Sequence, residues 1–126
     1  MAGATRIVAI DPVEYKREQS MRFGATHTFA SMAEAAGPLA EMTWGRLAEK
    51  VILTVGLANG DMVGEALSIT AKGGTVVVTS IAPMMDTQVT MSLFELAMFN
   101  KEVKGTLFGS GNPRSDIPAL LSMYRQ

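Results

Sequence analysis

Arg6-Ile7-Val8-Ala9-Ile10-Asp11 decides the fold: a short apolar run closed by a carboxylate. In dinucleotide-binding units, an acidic residue at the end of such a strand holds the ribose hydroxyls. The Gly-rich turn that cradles the pyrophosphate lies about 20 residues upstream of it. Only ten residues precede Asp11, so the expectation is a unit that begins one strand and one helix late.

Outward from this run, short apolar stretches alternate with helical ones. Residues 7–10, 26–29, 51–55, 75–79 and 103–108 are the strand candidates. Val-Ile-Leu-Thr-Val at 51–55 and Thr-Val-Val-Val-Thr at 75–79 are nearly continuous in apolar or β-branched residues, the pattern of parallel strands covered on both faces. Between them, Lys16, Gln19, Ser20 and Phe23 fall at helical spacing, Glu18 and Arg22 form an i,i+4 pair, and Gly24 is a stop. Ser31-Met32-Ala33-Glu34 has capping-box spacing, Gly37-Pro38 is read as a restart toward Trp44, and Trp44 as a packing anchor. Asp61 is expected to cap a helix carrying Val63, Ala66, Leu67 and Thr70, with Lys72-Gly73-Gly74 as a tight turn into the next strand. Ile117, Leu120, Leu121 and Tyr124 form the apolar stripe of a last helix that stops at Gln126. The alternation predicts one α/β domain with a Rossmann-like, doubly wound parallel sheet lacking its first strand.

Composition removes several classes. Of 126 residues, 48% are hydrophobic and 18% charged, which describes a packed chain and not a disordered one. A net charge of -1 with scattered Lys and Arg gives no footprint for nucleic acid or an anionic membrane. No apolar run approaches a membrane span, and Arg6 and Asp11 come too early for a signal peptide. Zero cysteines exclude a disulfide scaffold and fit a cytoplasmic home. With one histidine besides, the chain is expected to hold no metal. His27, inside a strand, reads as structural, Met84-Met85 as core or loop filler, and no serine sits in a G-x-S-x-G elbow.

Ligands of such sheets bind beyond the carboxyl ends of the strands. Asp11 can accept two ribose hydroxyls, Lys16 in the next helix can reach the same sugar, and the carboxylate repels a 2′-phosphate, favouring NAD over NADP. A second reading stands beside it, in which Asp11 caps its helix and Lys16 is solvated. Thr54-Val55-Gly56, followed by Gly60 and Gly64, would let a flat ring approach the backbone or simply form turns. Thr79-Ser80-Ile81 is an uncharged exit suited to a nicotinamide, and Thr106 to Phe108 opens a glycine-rich far edge.

Ile7-Val8-Ala9-Ile10-Asp11 with Lys16, Phe23-Gly24-Ala25-Thr26, Val55-Gly56, Lys72-Gly73-Gly74-Thr75 and Lys104-Gly105-Thr106-Leu107-Phe108-Gly109 together resemble the coenzyme domain of zinc-type medium-chain alcohol dehydrogenases. The wording around Asp11 to Gln19, Ala40 to Gly45 and Met84 to Thr90 is similar to that of the nitrosoaniline-dependent members of actinobacteria. The resemblance implies hydride transfer between an alcohol or aldehyde and NAD, with residues 1–126 a partial NAD-binding domain. It implies zinc in the intact enzyme and none in this chain, since the catalytic domain with its Cys and His ligands is absent. Met1 to Ala4 looks like the tail of the missing helix. The resemblance also places the missing strand between those ending at Asp11 and Val55, so the chain would have to close that gap or borrow a strand. Homo-oligomers through sheet edges, including Thr87 to Met91, are expected. The alternatives are a non-catalytic interaction module and another Rossmann-like nucleotide binder such as a methyltransferase.

Overall fold

The computed structural model describes residues 3–125, and of Phe108 the backbone alone. Elements alternate along the chain as β1 (Val8–Ile10), α1 (Glu14–Arg22), β2 (His27–Phe29), α2 (Met32–Met42), β3 (Ala48–Leu53), α3 (Gly60–Ser68), β4 (Thr70–Val78), α4 (Leu93–Met98), β5 (Glu102–Gly105) and α5 (Pro113–Tyr124). All strand pairings are parallel. Of the residues read as a helix tail, Met1 and Ala2 lie outside the described ones, as does Gln126, and Gly3 and Ala4 are not helical.

The pairings make two sheets. β1 pairs with β2, and β3, β4 and β5 follow in order. Between the free edge of β1 and the free edge of β3 lies a cavity of about 640 Å³, lined by Val8, Ile10, Val51 and Leu53 among others. The chain has not closed the gap. In a strand, a residue's N–H and C=O point to the same side and alternate with period two. Ile7 O accepts from Thr26 N and Asp11 N donates to Phe29 O, so these residues face β2. The backbone groups of Val8 and Ile10 therefore face the slot. Leu53 O accepts from Thr79 N on the β4 side, so Lys50 and Ile52 face the slot from across it.

The core lies under α3, whose Val63, Ala66 and Leu67 pack on Leu53 and Val76, with Met32, Val51, Val78, Met91 and Leu96 around them. Val51 aligns with Val76 and Val103 on that face, whereas Ile52 aligns with Val77 and Lys104 on the other. This second face is open, with Ile52 60% exposed, and corrects the expectation of two covered faces. The expected apolar stripe of α5 exists, but no residue of that helix is buried, so it covers nothing. Lys101, a residue the sequence did not single out, closes the C-terminal end of α3. Its buried ammonium donates to Leu67 O at 2.8 Å and to Glu95 Oε2 at 2.8 Å, where helix carbonyls attract a cation.

Local signals decided several ends. Glu34 N donates to Ser31 Oγ at 3.2 Å and Ala30 N to Glu34 Oε2 at 3.0 Å, so the capping box forms, reaching one residue further back than usual. After α1 the chain turns at Gly24 with φ +102°, which glycine adopts freely. Elsewhere tertiary burial overrode the local cue. α2 runs through Gly37 and Pro38 instead of breaking, because Ala35 and Leu39, one turn apart, are both buried and hold the helix across the lost hydrogen bond. Trp44 is 89% exposed and not an anchor: it follows the end of α2 with φ +52° and lines the slot. Asn59, not Asp61, caps α3, since its extended backbone lets its side chain accept from Met62 N at 3.0 Å. Asp61 sits in the first turn. Thr70 belongs to β4, and the expected turn at Lys72 to Gly74 is an irregularity within that strand, where the register shifts against Ala48 and Lys50. Met84 and Met85 are exposed loop residues, not core.

Candidate functional site

β1 delivers Asp11 to its carboxyl end, and the following turn builds a site around it. Val13 N donates to Asp11 Oδ1 at 2.9 Å, an Asx turn two residues long, and Lys16 Nζ lies 3.5 Å from Asp11 Oδ2. Arg17 Nη1 donates to the Asp11 carbonyl at 2.7 Å, tying α1 back onto the strand end. Asp11 is thus not the cap of α1, a place taken by Val13 with no side-chain bond. Its side chain keeps 31% exposure, so lone pairs remain open to a ligand. Lys16 is largely exposed but turned onto the carboxylate.

The slot gathers part of the expected set. Asp11, Lys16, Thr54 and Val55 line the same cavity, from opposite edges. Thr79, Ser80, Ile81 and Thr106 do not line it and continue the row of strand ends beyond β3. The hydroxyls of Thr79 and Ser80 are engaged inward: both donate to the Leu53 carbonyl, at 2.9 and 3.0 Å, beside Thr79 N at 3.1 Å. They fasten the ends of β3 and β4 together. What they leave outward is apolar, namely Val55, Leu57 and Ile81, all exposed, with Ala58 N bonded to Ile81 O at 2.9 Å. A flat ring can lie on such a ledge. Thr106 N donates to Val78 O and its hydroxyl pairs with Ser110 Oγ at 2.7 Å. Phe108 starts a short 3-10 turn, and its side chain lies outside the described residues.

Gly56 is in open space, but Gly60 and Gly64 are not in the loop at all. They belong to α3, and a Cβ on either would overlap a backbone carbonyl, of Gln88 and Thr90 respectively. The sequence offered no signal for this contact, because its two halves are more than 20 residues apart.

A cofactor test gives a split answer. A carboxylate oriented by a backbone N–H and flanked by an ammonium suits a pair of ribose hydroxyls. No Gly-rich turn at a helix N-terminus faces the slot among the described residues to cradle a pyrophosphate. A resident zinc does not fit this chain, which has no cysteine and one histidine. Among the described residues no three His, Cys, Asp or Glu side chains converge, and no helix is long and apolar enough to cross a membrane.

Residues 1–126 match the family model described as zinc-binding dehydrogenase. Alcohol dehydrogenase B of Mycobacterium tuberculosis is 51% identical over 124 residues, covering 98% of this chain and 33% of that protein. The NDMA-dependent alcohol dehydrogenase of Amycolatopsis methanolica is 47% identical over 124 residues, with the same shares covered. The crystal structure of benzyl alcohol dehydrogenase from Acinetobacter calcoaceticus superposes with a TM-score of 0.85 at 25% identity, covering 98% of this chain and 33% of that one. The chain spans about a third of the length of the curated relatives it matches.

Proposed function

This chain belongs to the zinc-binding dehydrogenase family, and we propose that it is the NAD-holding part of an oxidoreductase that moves hydride between an alcohol or aldehyde and NAD. The observation that carries this is the Asp11 carboxylate, set by Val13 N and Lys16 at the mouth of the slot. In this reading Asp11 and Lys16 bind the adenosine ribose, and Thr54 and Val55 flank the middle of the cofactor. The ledge of Val55, Gly56 and Ile81, braced by Thr79 and Ser80, receives the nicotinamide, with Thr106 and Phe108 at the far edge. A zinc ion, if held by residues outside 1–126, would supply Lewis-acid chemistry at the alcohol or aldehyde oxygen. The chain's own part is to orient the ring and keep water from one face of it. A cytoplasmic setting is part of this reading, and a chain without cysteine fits it.

The carboxylate also sets the cofactor choice, since a 2′-phosphate placed beside it adds a like-charge contact. At about 1.4 kcal/mol for each tenfold, one such contact in a partly buried site corresponds to roughly tenfold or more. Asp11→Gly in the full-length oxidoreductase should therefore narrow the NAD over NADP ratio of kcat/KM by at least that factor. An unchanged ratio would remove Asp11 from the site.

The same reading includes a homodimer. Residues 87–91 make no backbone hydrogen bond to other described residues, and unpaired backbone of this kind is a template for a second chain. The protein should scatter light as a dimer at high concentration; a monomer there would count directly against the pairing.

A further inference from the structure

The peptide joining Asp11 to Pro12 carries a single polar group, the Asp11 carbonyl, because proline has no N–H. In the parallel ladder Asp11 N donates to Phe29 O, so the next rung would run from Ser31 N to Asp11 O. Ser31 has turned aside to cap α2, its hydroxyl accepting from Glu34 N. Arg17 takes the place of that rung. Its half-buried guanidinium donates to the Asp11 carbonyl at 2.7 Å, a charge-assisted bond. Among the described residues the guanidinium makes no ion pair.

The consequence lies in the side chain of Asp11. Its N–H is fixed on β2 and its carbonyl on α1, so both ends of the residue's backbone are held. The direction of its Cβ is then set, and the carboxylate meets Val13 N at 2.9 Å and Lys16 Nζ at 3.5 Å. Neither of these two contacts could hold the backbone instead. Lys16 is a largely exposed side chain, and Val13 N belongs to the turn that would swing with the Asp11–Pro12 peptide. We propose that Arg17 is a positioning residue of the ribose site, aiming the Asp11 carboxylate by anchoring its carbonyl. The proposal deepens the ribose reading above and rests on it for the ligand, though not for the aim.

Arg17→Met in this chain, followed by NMR, tests the aim. Met, Gln and Lys form helix about as well as Arg, so α1 itself is not at stake. The Val13 amide should lose the downfield shift of an N–H bonded to a carboxylate, and should exchange with solvent roughly fivefold faster or more. NAD, the probe, should bind roughly fivefold more weakly or worse, read from the shifts of the Asp11 and Lys16 amides. Arg17→Lys, which keeps a cationic donor at nearly the same reach, should restore most of both. Arg22→Met, which removes a charge from the last turn of the same helix, should match the wild type. If Arg17→Met unfolds by circular dichroism, Arg17→Gln decides, because its amide is polar enough for solvent and too short for the carbonyl. A folded variant that keeps wild-type NAD affinity overturns the proposal. So does a lower thermal midpoint with Val13 and NAD binding unchanged, the mark of a mere tie between α1 and β1. A wild type whose amides near Asp11 ignore NAD, with Val13 still loosened in Arg17→Met, keeps the aim and sinks the ribose reading.

Discussion

Supplying one parallel strand to the slot between β1 and β3 should raise the thermal midpoint of this chain by more than about 10 °C. The backbone groups of Val8 and Ile10 on one side and Lys50 and Ile52 on the other have no strand partner. Each hydrogen bond gained contributes about 0.5–1.5 kcal/mol net. Four such bonds, half of what these eight groups can make, with the half-buried Val8 and Val51 covered as well, give about 3 kcal/mol or more. For a domain of this size each kcal/mol moves the midpoint by roughly 4 °C. An inserted strand that runs parallel continues the pattern of both flanking ladders. A parallel neighbour of β1 needs a crossover of a dozen or more residues. The test is an extension at Met1 carrying an apolar strand and a helical crossover, followed by calorimetry. A control with the same helix and a Gly/Ser stretch in place of the strand isolates the slot. Equal midpoints for the two extensions would show that the slot does not take a strand.

NAD should bind this chain with millimolar affinity at best, and no dehydrogenase turnover should be detectable. Millimolar binding corresponds to about −4 kcal/mol, which is what a ribose held by Asp11 and Lys16 and an apolar ledge at Val55 and Ile81 can supply. The pyrophosphate needs several converging backbone N–H donors at a helix N-terminus, and the described residues bring none to the slot. Calorimetric titration checks this, and a micromolar dissociation constant would overturn it. The two expectations are linked. If the strand that fills the slot also brings a Gly-rich turn at its end, affinity for NAD should rise together with the thermal midpoint.

The sequence was most legible where structure is local. The runs at Ile7 to Ile10 and Val51 to Val55, the Ser31 to Glu34 cap and the stop at Gly24 each depend on residues within a turn or a strand of one another, and each formed with shifts of a few residues at the ends. Asp11 and Lys16 were legible for the same reason, being five residues apart across one strand-to-helix junction. What escaped was set at a distance. Pro38 should break a helix on local grounds, but Ala35 and Leu39 are buried by partners elsewhere in the chain. Trp44 has the composition of an anchor and no core to enter, since its position opens on the slot. Thr79 and Ser80 read as part of an uncharged strand exit, and nothing local showed that both hydroxyls bond the Leu53 carbonyl, 26 and 27 residues earlier. Gly60 and Gly64 looked like turn formers because nothing nearby in sequence hints at Gln88 and Thr90.

The division of the sheet also bears on how the molecule acquires its order. β1 and β2 are consecutive strands, as are β3, β4 and β5, so each ladder closes through a short stretch of chain and neither waits for the other. Among the described residues no strand pairing joins the two halves; α2 lies between them, with Met32 touching the core beneath α3. The half built on Leu53, Leu67 and Val76 holds most of the buried apolar residues. The half built on Asp11 should open as a separate cooperative unit, read as faster amide hydrogen exchange at Val8 to Ile10 than at Val76 to Val78. The carboxylate proposed to hold the ribose would then ride on the less cohesive half, and a strand filling the slot would tie it to the core in the same event.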